Sequence, residues 1–89
     1  MNDDDIANKH KDIGMRVAYY RKDKKLSQLD LSLQLGHKSV SIVASAERFY
    51  NGKHFNIEHL LKISEILETP IANFFEPYIE KVSKKDTHN

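Results

Sequence analysis

Leu26-Ser-Gln-Leu-Asp-Leu-Ser-Leu-Gln-Leu-Gly-His-Lys-Ser-Val-Ser-Ile-Val-Ala-Ser-Ala-Glu-Arg48 reads as two short helices joined by a tight turn. Ser27 suits the N-cap of the first helix, and Asp30 stands where a capping box usually carries Glu or Gln. Leu31 and Leu35 are four apart and share one buried face. Gly36 follows the last apolar residue, where a helix end needs positive φ. Ser39 can cap a second helix running from Val40 to about Arg48, with Val43 and Ala46 turned to the core. Ser32 and Ala46 are small enough to let the two helices cross closely.

This arrangement resembles the helix-turn-helix of the phage-repressor (Cro/Xre) family. The resemblance rests on Leu26-Ser27-Gln28, Leu31, Leu35-Gly36, Val43 and Glu47-Arg48. It extends upstream through Gly14-Met-Arg-Val17 and Tyr20-Arg21, and downstream through Leu60-Leu61-Lys62-Ile63 to Phe74-Phe75-Glu76. It implies an all-α, five-helix domain with a short C-terminal extension. The segment Gly36-His-Lys-Ser39 is one residue longer than the usual family form. A cap at Lys38 or Val40 instead of Ser39 would rotate the exposed face by about 100°.

Outward from this core, residues 1–8 are polar and acidic and are expected to form a flexible arm. From about Lys9, Ile13, Val17 and Tyr20 form the stripe of a first helix, and Gly14 within it suggests a close helix contact. After the helix-turn-helix, Phe49 to Phe55 is a loop around the turn signal Asn51-Gly52. Asn56 can cap a helix from Ile57 to Leu67 with Leu60, Ile63 and Leu67 inward. Pro70 suits the first turn of a fifth short helix reaching about Phe75. The domain is thus expected over 9–76, with an extension at 77–89. Leu29 and Leu33 make a second apolar edge, either for the N-terminal segment or for a partner.

Composition narrows the function classes. With 89 residues the chain holds one small domain, a size that often gains stability by dimerising. It has no cysteine, so no disulfide, thiolate metal site or cysteine nucleophile is available. That absence fits a cytoplasmic protein, as does an acidic N-terminus unlike a secretory leader. No apolar run approaches the roughly 20 residues of a membrane span. The five histidines are scattered without metal-ligand spacing, and no phosphate-cradling loop or nucleophile elbow is present. Neither an enzyme, a cofactor nor a bound metal is expected, and without a separate ligand domain no small-molecule ligand is either. The net charge is only +1, but acids gather at residues 3–5 while bases fill 9–25.

The expected function is therefore sequence-specific binding of double-stranded DNA by a transcriptional regulator, most simply a repressor acting as a homodimer on an operator. The recognition helix, about 40–48, would enter the major groove. The resemblance implies base contacts from Val40, Ser41 and Ser45. Gln28 would hold phosphate and buttress the recognition helix. Lys38, Ser39, Arg48, Tyr50, Lys53 and His54 flank that helix as backbone contacts. The resemblance also pairs Arg21 with Glu47 in an ion pair between the first helix and the recognition helix. Phe74, Phe75, Tyr78, Ile79 and Val82 exceed the needs of a small core and are expected at a two-fold interface. The alternative is an antitoxin-like protein-interaction module that uses Leu29, Leu33 or the aromatic loop.

Overall fold

The first helix starts earlier than its apolar stripe suggests. The Asn2 side chain accepts from the Asp5 amide at 2.8 Å, and the Asp5 carboxylate accepts from the Asn2 amide at 3.1 Å. This capping box launches α1, Asp3–Asp23. Asp3, Asp4 and Asp5 occupy its first turn, where acidic side chains complement the helix dipole. Residues 3–8 are thus helical, and the flexible arm expected there is replaced by the start of α1. The computed structural model of the chain describes residues 1–77.

The second helix, α2, spans Gln28–Gln34. Asp30 completes its box with Ser27, each accepting from the other's amide at 2.9 Å. Gly36 takes φ 93°, and the chain leaves α2 with the His37 amide donating to the Ser32 carbonyl at 2.9 Å. The next helix, α3, is Ser41–Arg48, one residue shorter at its start than expected. Val40 holds the N-cap position and offers no capping group. The Ser39 hydroxyl reaches the Ser41 amide at only 3.4 Å, because the longer turn shifts it one residue out of place. A 3-10 turn at Tyr50–Gly52 then leads to α4, Ile57–Leu67. Asn56 caps α4 through the His59 amide at 2.7 Å, and His59 Nδ1 accepts from the Asn56 amide at 3.3 Å.

The segment after Pro70 is a 3-10 helix, Ile71–Phe75, rather than a fifth α-helix. The described residues therefore form four α-helices and no strand. Six residues between Pro70 and Pro77 are too few to repeat the α-helical bond pattern far, so the tighter turn is used.

The core joins Val17 of α1, Leu31 and Leu35, Val43 and Ala46 of α3, Leu60, Ile63 and Leu67 of α4, Phe55 and Phe74. Phe74 is fully buried and lies 6.0 Å from the Tyr20 ring, so it is a core residue and unavailable to a dimer contact. Phe75 is exposed. Tyr78, Ile79 and Val82 lie outside the described residues. Gly14 sits where α1 crosses α3. A methyl there would meet the Glu47 carbonyl oxygen at 2.5 Å and that of Ala46 at 2.6 Å, so only glycine permits this approach.

Candidate functional site

Three helices meet at one carboxylate. Arg21 Nε donates to Glu47 Oε2 at 2.7 Å and Nη2 donates to Oε1 at 3.0 Å. Gln28 Nε2 adds a third bond to Oε1 at 2.9 Å, and Arg21 Nη1 donates to the Leu26 carbonyl at 2.7 Å. Both charged residues are only 6% exposed. A buried pair with its polar atoms bonded fixes orientation more than it adds net stability. Here it sets the roll of α3 against α1 and α2. The Gln28 amide buttresses Glu47 and is half-buried, rather than standing free for a phosphate.

With Val43, Ala46 and Glu47 buried, the opposite face of α3 points outward. Ser41 and Arg48 are exposed, and Ala44 and Ser45 are half-buried. Val40, Ser41, Ala44, Ser45, Arg48 and Tyr50 line one shallow concave surface. Ser39 Oγ donates to Ser41 Oγ at 3.3 Å at its edge. The Arg48 guanidinium carbon lies 5.4 Å from the Tyr50 ring centroid. Ile42 leans to the other side, over a hollow shared with Ala46, Lys53, His54 and His59. The structure therefore brings Val40, Ser41, Ser45, Arg48 and Tyr50 together, and places Lys53 and His54 beside the neighbouring hollow. Lys38 is exposed in the turn before α3.

Leu29 and Leu33 are 47% and 55% exposed, so no N-terminal segment packs over them. The histidines are organised in a way that sequence spacing did not reveal. His54 stacks on His10 at 3.8 Å, with Phe49 5.8 Å from His10 on α1. His37 meets His59 edge to face at 5.6 Å. Burial and the neighbouring His54 hold the His10 pKa below its ordinary value. Burial, then His37, holds His59 low, with Glu58 opposing and Lys62 reinforcing. No local signal joins residues 10 and 54; the tertiary fold does, by laying the loop before α4 against α1.

Among the described residues, no three His, Asp or Glu side chains converge to hold a metal ion. No helix among them is long and apolar enough to cross a membrane. Comparison of the chain with protein-family models, with curated proteins and with solved structures finds no match.

Proposed function

We propose that this protein is a sequence-specific double-stranded DNA-binding transcriptional regulator, with α2 and α3 forming a Cro/Xre-type helix-turn-helix and α3 as the recognition helix. The observation that carries this reading is the outward face of α3, held at a defined roll by the buried Arg21–Glu47–Gln28 cluster. A helix presented this way fits the major groove, and short side chains at Ser41 and Ser45 allow close approach to base edges. Lys38 and Lys53 lie on either side of α3 in sequence and supply positive charge for the phosphate backbone. Repression follows as the simplest action, by occupying an operator. A homodimer is part of the proposal, since one recognition helix covers little surface for tight specific binding.

The test is selection from random duplex DNA by the full-length chain, followed by footprinting and sedimentation of the complex. An enriched, two-fold symmetric site protected by a dimer supports the reading. Binding without sequence preference, or none, rejects it. A second reading, a protein-interaction module, draws on the exposure of Leu29 and Leu33 on α2. Substituting both by Ser without loss of DNA binding would detach that surface from the DNA function.

A further inference from the structure

We propose that Arg48 reads a guanine in the major groove and that Tyr50 holds it in position to do so. The inference rests on the DNA-binding reading of α3 and names one base that this surface recognises. Arg48 is seven residues after Ser41, so two helical turns bring it back to within about 20° of the same stripe. It borders Ser45 on the same concave surface. This is the outward centre of the helix rather than its flank, where phosphate contacts would be made. From Ser41 to Arg48 the helix rises about 10 Å, close to three base-pair steps of about 3.4 Å. Ser41, Ser45 and Arg48 can thus face separate base pairs within one stretch of about four base pairs in a half-site.

The chemistry of that surface is uneven. Two serine hydroxyls can bond almost any base edge, and Val40 and Ala44 present only methyl groups. Arg48 is the single side chain lining it with a planar pair of donors. That geometry matches the N7 and O6 acceptors of guanine, a pattern no other base presents in the major groove.

Tyr50 supplies the positioning. Its ring lies against the guanidinium, 5.4 Å from centroid to Cζ. A cation–π contact of this kind engages the charge of the guanidinium over the ring and uses none of its N–H donors, which stay available for a base. Arg48 donates no hydrogen bond and joins no ion pair among the described residues. The tyrosine opens the 3-10 turn Tyr50–Gly52, entered through Phe49 at φ 55°, which places its ring beside the end of α3. An arginine held over a ring loses less rotamer freedom on binding than a free one, which favours a fixed bidentate contact over a loose phosphate contact.

The experiment starts from a site selected by the full-length wild-type chain from random duplex DNA. One guanine per half-site is expected at the end of the subsite read by the C-terminal half of α3. Replacing it with 7-deazaguanine, which lacks the N7 acceptor, should weaken wild-type binding roughly 5- to 150-fold. The same replacement should barely affect Arg48→Ala, which should lose preference at that base pair alone and keep the rest of the site. Tyr50→Phe should retain the guanine preference, whereas Tyr50→Ala should reduce it, which separates stacking from a phenol contact.

If Arg48→Ala weakens every sequence equally and lowers the log–log salt slope by about 1, Arg48 is a phosphate contact and the assignment fails. If the wild type selects a site and the Arg48→Ala logo is the same, the assignment fails while the DNA-binding reading stands. If the wild type enriches no sequence, both fall together.

Discussion

Arg21 and Glu47 face each other through two parallel hydrogen bonds of 2.7 and 3.0 Å, across the junction of α1 and α3. Removing one partner leaves the other charge buried without its counter-ion. Glu47→Gln and Arg21→Gln should each cost about 3–5 kcal/mol of stability. The double variant should cost less than the sum of the singles. Chemical denaturation of all four proteins gives the coupling energy, and additive costs would mean the two side chains do not interact.

Gly14 tests the α1–α3 crossing independently of charge. An exposed Gly→Ala change in a helix usually gains up to about 1 kcal/mol. At residue 14 the new methyl meets backbone oxygens of α3, which cannot swing aside as a flexible side chain does. Gly14→Ala should therefore destabilise by about 1–3 kcal/mol. A variant more stable than wild type would show that the two helices are not in this close contact.

The histidine pairs make stability depend on pH with a defined sign. His10 and His59 both bind protons less readily in the folded chain than in the unfolded one. As pH falls through about 6.5, the unfolded chain takes up protons first, so stability declines and then levels off below the folded-state values. Protonated His59 would also lose the Nδ1 lone pair that accepts from the Asn56 amide. His59→Gln keeps an acceptor at that capping position and, combined with His10→Gln, should flatten the decline. Denaturation midpoints between about pH 7.5 and 5 check this; an unchanged slope in the double variant would assign the pH dependence to other groups.

The surface of α3 separates specificity from affinity. Ser41→Ala and Ser45→Ala should each change base preference at a defined operator position, by up to about 1–3 kcal/mol. Lys38→Ala and Lys53→Ala should weaken all sequences about equally and reduce the salt slope by about 1 each. Site selection with each variant distinguishes the two classes. Unchanged logos for both serine variants, with shifted logos for Ile42 or Ala44 variants, would place the base-reading edge one residue further round the helix.

Local chemistry was legible in the residue order wherever the determinant and its target lie within one turn. Ser27 with Asp30, Gly36 at positive φ, Asn56 before α4 and Pro70 after it act on their immediate neighbours. The apolar stripe Leu60, Ile63 and Leu67 likewise chose the inward face of α4. The pairing of Arg21 with Glu47 came from family resemblance, since nothing local links residues 26 apart. The start of α1 was missed because three aspartates look like a solvated tail until Asn2 is seen to cap them.

The rest was decided by packing. Phe74 and Phe75 are adjacent aromatics of the same type, yet one is sealed against Tyr20 and the other faces solvent. Gly14 suggests a close helix contact in the sequence, but only the docked helices show that the backbone oxygens of Ala46 and Glu47 fill the space that a side chain would need. His10 meets His54 only after the helices have docked. Caps and periodicity are short-range and leave a trace in the residue order. Burial, stacking and close backbone approach depend on which surfaces meet, and that is a property of the assembled core.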